Sequence, residues 1–264
     1  KQFAAVGRAH GRIFADIRPA ATMVEISALV DPELFPHAPR PCAILNLGGI
    51  ANVTYLAADE PPLAFDVGPA NALLDGLARA LLGEPFDRDG AAAARGRVHP
   101  GLLAELLAHP YFDRRPPKVS RPVLFGAGYT SRVLAEAQAL RLAREDVLAT
   151  GVALVGEAVA QALARFLPER PRELILCGGG ARNVALAEAL TRRSGLATVS
   201  SARHGVDPDA REALFFARLA VRCVLAQPST EPRVTGARVG GVLGKLSLPG
   251  FDLGGAPAPS SSVP

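Results

Sequence analysis

The chain has 264 residues, 49% of them hydrophobic, and a formal net charge of +4. That apolar content makes it a globular protein able to bury one large core or two smaller ones. Only three of its 29 basic residues are lysines (Lys1, Lys118 and Lys245), and the scattered arginines have no aromatic stacking platform beside them, which argues against a nucleic-acid surface.

In chain order, short β-branched or apolar runs predict strands at "RIFADI", "CAILNLG", "NVTYLA" and "LAFDV". A helix follows at "PANALLDGLARALLG", with Pro69 in its first turn, Gly83 at its end and a leucine stripe at helical spacing. From about 84 to 128 the chain is rich in Pro, Arg and Gly and reads as the junction between two lobes. Helices are predicted at "TSRVLAEAQALRL", "EDVLATGVALVGEAVAQALARFL", "RNVALAEALTRR" and "PDAREALFFARLAVRCVLA", with strands at "ELILCG" and "ATVSS" among them. The sum is an α/β protein, and the tail over 249–264 is low in complexity and expected to be disordered.

Cys42, Cys177 and Cys223 are odd in number, far apart and set in apolar runs, as small buried thiols in a reducing compartment would be. The five histidines show no metal-ligand spacing, so no metal site is expected. The most apolar helix is interrupted by Glu157 and Gln161, which argues against a membrane span.

Three places carry chemistry. In "ILNLGGIANVT", Asn46, Gly48, Gly49 and Asn52 lie where two strands turn, and glycine lets successive N–H groups approach one anion. An ordinary hairpin is the competing reading. In "LILCGGGARNVAL", Gly178, Gly179 and Gly180 fall between a strand and a helix and can bring backbone amides against a nucleotide. A dinucleotide-binding unit would need an acid after the next strand, where Ala202 and Arg203 stand instead. Asp66 ends "LAFDV" before a glycine and a helix, placed to take a proton from water or a hydroxyl during phosphoryl transfer, or simply to cap that helix.

Taken in order, "LNLGGIANVT", "FDVGPANALLD", "FDRDGAAAARGRV", "HPYFDRRPPK", "LCGGGARN", "GVDPDAREALFFARLA" and "VTGA" resemble the anhydro-N-acetylmuramic acid kinase family over most of the chain. The resemblance implies an actin/hexokinase/heat-shock-70-like ATPase fold of two lobes, ribonuclease H-like in its sheet, with ATP and Mg2+ in the cleft. It implies a partial N-terminal lobe over 1–83 carrying the phosphate-binding hairpin, and a C-terminal lobe over 84–248 carrying the adenosine-binding glycine loop. The implied reaction opens the anhydro bridge of the sugar with water and phosphorylates the freed O6, in cell-wall recycling in the cytoplasm. Asp66 matches the base that activates the water. Asn46, Gly48, Gly49 and Asn52 would face the phosphates, and Gly178, Gly179, Gly180 and Asn183 the adenosine. Asn71, Lys118 and Glu212 would face the sugar; Glu212 also reads as a helix N-terminal charge. A homodimer is a further implied partner, with no nucleic acid and no membrane.

Departures accompany the match. The family's opening phosphate loop, in a first stretch of roughly a hundred residues, has no counterpart, and Asp16 and Arg18 match a later strand. "TMVEISALVDP" and "KVSRPVLF" replace glycine-rich and sugar-contacting motifs, leaving Lys118, and Ala70 stands where the family has glycine. The chain thus reads as an incomplete member, or as a relative that binds nucleotide or sugar without turnover. An unrelated nucleotide-binding α/β enzyme is the third reading.

Overall fold

The computed structural model describes residues 30–120, 124–230 and 238–244. The expected strand at "RIFADI" with Asp16 and Arg18, the "VTGA" motif and the tail lie outside these residues.

A five-stranded sheet has the order β3-β2-β1-β4-β5. Its strands are β1 (Cys42–Leu47), β2 (Ile50–Leu56), β3 (Leu63–Pro69), β4 (Glu173–Cys177) and β5 (Ala197–Ser200). The first three form an antiparallel meander, and β4 and β5 join parallel on the far side of β1. Alternation along the strands sorts side chains onto two faces. Ala43, Leu45, Leu47, Ala51, Val53, Phe65 and Val67 enter the large core, whereas Cys42, Ile44 and Leu56 join a smaller cluster with Phe35 and Val206.

Helices α1 (Asn71–Leu82), α2 (Ala91–Arg95), α3 (Pro100–Leu107), α4 (Ala127–Ala139), α5 (Arg144–Phe166) and α6 (Val184–Ser194) contribute to the large core, and α7 (Arg211–Val224) follows β5. α5 is long and apolar enough to cross a membrane, yet 78% of its most apolar window is buried by the rest of the fold, as a central core helix requires. On the smaller-cluster side, Arg211 reaches Asp31 with two hydrogen bonds of 3.1 and 2.6 Å, both side chains being buried. That pair ties α7 to the helical residues 30–34.

Two expectations need correction. Pro69 ends β3 and Ala70 precedes α1, because the Gly48 and Gly49 carbonyls accept from Ala70, Asn71 and Ala72 and set where the helix begins. The Pro/Arg/Gly-rich stretch after 84 is not a bare connection. Both Asp87 carboxyl oxygens accept from α2 (Ala92 and Ala93 N, 2.9 Å each), His99 caps α3, and Leu102 and Leu106 are fully buried. Strands from before and after residue 83 share one sheet and one core, β1 pairing with both β2 and β4.

Candidate active site

Asn46, Asn52 and Asp66 stand directly opposite one another on β1, β2 and β3 and so share one face of the sheet. Two antiparallel steps put Asn46 about 10 Å from Asp66, backbone to backbone. A register shift between Ala51 and Asn52 lies within this row. Asn52 is 5% exposed, and its buried Oδ1 has no hydrogen-bond partner among the described residues. A buried acceptor without a partner is costly, so a proton donor entering this site would relieve it.

Asp66 is itself 5% exposed and is held three ways. Its N–H donates to the Lys118 carbonyl (3.1 Å), its own carbonyl accepts from the Tyr111 hydroxyl (3.0 Å), and its Oδ2 accepts from Ser120 N (2.7 Å). Burial pushes the carboxyl up to about 6, the Ser120 N–H and the Lys118 charge pulling the other way. Such a group is ionised at neutral pH yet basic enough to take a proton.

The two glycine loops converge on Leu47 at the end of β1. Gly48 and Gly49 turn the β1–β2 hairpin and spend their carbonyls on the start of α1. Gly178 follows β4 with φ +79°, and a Cβ there would lie 2.7 Å from Asn46 Oδ1. A Cβ on Gly180 would lie 2.7 Å from Leu47 Cβ and 2.9 Å from Asn71 Oδ1. Asn71 joins the loops by donating from Nδ2 to the Leu47 carbonyl (3.0 Å). The N–H groups of Gly48, Gly49, Gly179 and Gly180 have no hydrogen-bond acceptor among the described residues. Unspent amides brought from two loops to one strand end are the kind of backbone arrangement that holds anions in proteins generally.

Not every expected residue joins this cluster. Asn183 caps α6, its Oδ1 accepting from Leu186 N (2.9 Å), and a Cβ on Gly90 would fall 2.3 Å from that oxygen. Its side-chain oxygen therefore serves the helix. Glu212 is exposed in the first turn of α7, and no hydrogen bond or ion pair links it to the other candidates. Its neighbour Arg211 is the one turned inward. Lys118 is 6% exposed with its Nζ 4.8 Å from the Tyr111 ring centroid and 4.9 Å from that of Phe166. Sequence reasoning missed Tyr111 and Ser120, which hold Asp66 from 45 and 54 positions away; Tyr111 lies in "HPYFDRRPPK", so the segment was visible while its partner was not.

The family model for anhydro-N-acetylmuramic acid kinase matches residues 21–249. The chain is 45% identical over 205 residues to the anhydro-N-acetylmuramic acid kinase of Xanthomonas campestris pv. campestris (strain 8004), covering 77% of this chain and 53% of that protein. It is 45% identical over 214 residues to that of Gloeobacter violaceus, covering 79% and 56%. Among solved structures, the activator of the 2-hydroxyisocaproyl-CoA dehydratase from Clostridium difficile with bound ADPNP aligns over 72% of this chain and 62% of its own, with 16% identity and a TM-score of 0.46. The chain spans about half the length of the curated relatives it matches. By the extent of the family match and by these identities, it belongs to the anhydro-N-acetylmuramic acid kinase family.

Proposed function

We propose that the chain acts in the ATP-dependent phosphorylation of 1,6-anhydro-N-acetylmuramic acid at O6, coupled to hydrolytic opening of the anhydro ring. The observation that carries this reading is the Asn46–Asn52–Asp66 row, which sets one buried carboxylate on the sheet face that ends at the two glycine loops. Asp66 accepts a proton from the water that adds to the anomeric carbon. The bond from that carbon to O6 breaks, O6 takes the γ-phosphoryl group and ADP leaves. The free amides of Gly48, Gly49, Gly179 and Gly180 suit the phosphate charge. Mg2+ would supply neutralisation of the phosphate oxygens. Such an ion is held in general by the phosphates and one or two carboxylates rather than by a protein cage.

Within this reading the fold is of the actin/hexokinase type with partial N-terminal and C-terminal lobes. The reaction belongs to peptidoglycan recycling and amino sugar catabolism in the cytoplasm, and a second copy of the chain is a further partner. A second reading is binding of nucleotide or sugar without turnover, favoured by the enclosure of Lys118 and the displacement of Glu212 from the cluster. A coupled ADP-release assay with ATP, Mg2+ and the anhydro sugar, run beside calorimetric ATP binding, separates the two. Sugar-dependent ADP release is expected. ATP or sugar binding without release would establish the second reading, and binding of neither would remove both.

A further inference from the structure

Among the described residues β3 is an edge strand of the sheet, and Asp66 has its sheet neighbour there, Asn52, on one side. On the other side runs the segment 117–120, which presents the Lys118 carbonyl to Asp66 N and the Ser120 N–H to Asp66 Oδ2. An edge backbone is otherwise open to water or to other chains, so whatever holds this segment also sets the carboxyl's direction. One side-chain fastening of this segment is Lys118. Its Nζ lies 4.8 Å from the Tyr111 ring centroid, 4.9 Å from that of Phe166 and 5.9 Å from that of Phe65, and forms no salt bridge or hydrogen bond among the described residues. Tyr111 completes the assembly by supporting the ammonium with its ring while its hydroxyl donates to the Asp66 carbonyl.

We propose that Lys118 is a positioning residue for Asp66: its ammonium, enclosed by Tyr111, Phe166 and Phe65, fastens the 117–120 segment along β3 and supplies the nearest positive charge to the carboxylate. This deepens the assignment of Asp66 as the base and replaces the expectation that Lys118 contacts the sugar. Cation–π attraction grows as the cation leaves water, and Lys118 is 6% exposed. The groups facing Lys118 are Asp66 and Asp113, which favour its charge, and Arg165 and Arg114, which oppose it; the groups facing Asp66 are Lys118 and the Tyr111 phenol. Burial brings the Lys118 ammonium down to about 8, so it is charged over the range in which Asp66 titrates.

The test is carboxyl 13C NMR titration of Asp66 in the wild type, Lys118→Met and Lys118→Arg, with amide exchange at Asp66 measured on the same samples. In Lys118→Met the Asp66 midpoint should rise by about one pH unit and its amide should lose protection. Lys118→Arg, which restores the charge, should bring the midpoint back toward that of the wild type. A folded Lys118→Met protein with an unmoved midpoint and unmoved protection would overturn the proposal. Should that variant fail to fold, Asp66→Asn supplies the reciprocal reading: loss of the carboxylate should lower the Lys118 midpoint, and an unmoved one would overturn the proposal equally. Neither titration needs ATP or sugar. An absence of turnover would therefore count against the kinase reading without touching this one.

Discussion

The two halves of the candidate site are held by different means. On the glycine side, Gly178 and Gly180 pack so closely against Asn46, Leu47 and Asn71 that an added carbon would clash, while Gly48 and Gly49 are held by their carbonyls, which accept from the start of α1. On the Asp66 side, placement comes from Tyr111, Lys118 and Ser120, which arrive from a segment far along the chain and meet an edge strand. Gly178 and Gly180 are fixed because their neighbours leave no room. The Asp66 half is directed because hydrogen bonds and a buried cation choose one orientation, and it can fail one group at a time.

Asp66→Asn separates the halves most sharply. The amide keeps an acceptor for Ser120 N and nearly the same volume, but cannot take a proton. Turnover should fall by roughly 10²–10⁴-fold while ATP affinity stays within a few-fold. In the wild type, the acid limb of kcat/KM should lie near pH 6, because the raised carboxyl is protonated below that value and the base is lost. Full turnover in the variant would remove Asp66 from the chemistry.

A pair of glycine substitutions sharpens the other half. Gly178→Ala puts a Cβ 2.7 Å from Asn46 Oδ1 and 2.9 Å from the Leu47 carbonyl at φ +79°, and should cost about 3 kcal/mol in urea unfolding through backbone strain and overpacking. Gly179 has no positive φ, and its added Cβ would find its nearest neighbour, Asn71 Nδ2, at 3.7 Å. Gly179→Ala should therefore leave stability within about 1 kcal/mol while weakening ATP binding, since the methyl group enters the space the free amides face. Equal losses of stability in both variants would mean that the loop is a packing device and not a phosphate cradle.

The same difference explains what the sequence disclosed. The strands, the long helices and both glycine loops were legible because each depends on periodicity or on residues within a few positions, as in "LNLGGI" and "LCGGGARN". The row of Asn46, Asn52 and Asp66 was half legible: each residue stood out, but their common face depends on the register of β1, β2 and β3, including the shift at Ala51/Asn52. The surroundings of Lys118 were not legible: by resemblance it was expected to face the sugar, and only the fold brings Tyr111 and Phe166, 55 positions apart, to 4.8 and 4.9 Å from its ammonium. Helices α2 and α3 were hidden by the prolines and arginines around them, and their burial is decided by α5, not by local propensity.

Stability against pH tests whether Asp66 is held against its own preference. Its carboxyl titrates near 6 in the folded chain, above the unfolded value of about 3.9. Folding therefore favours the protonated form. Below pH 4 both states are protonated there, and Asp66 costs the fold nothing through its charge. Between pH 4 and 6 the unfolded chain ionises while burial keeps the folded carboxyl protonated, so stability falls by up to about 3 kcal/mol and levels off above 6, where the folded state carries the buried charge. Asparagine carries no such charge, so Asp66→Asn should be more stable than the wild type at pH 8 by an amount approaching that figure, with the advantage shrinking to nothing near pH 4. Urea unfolding of both proteins across that range reads the difference directly. An advantage that does not change with pH would place its origin in packing, whereas one that appears between pH 4 and 6 identifies the cost of keeping a buried base charged, which is the condition its proposed chemistry requires.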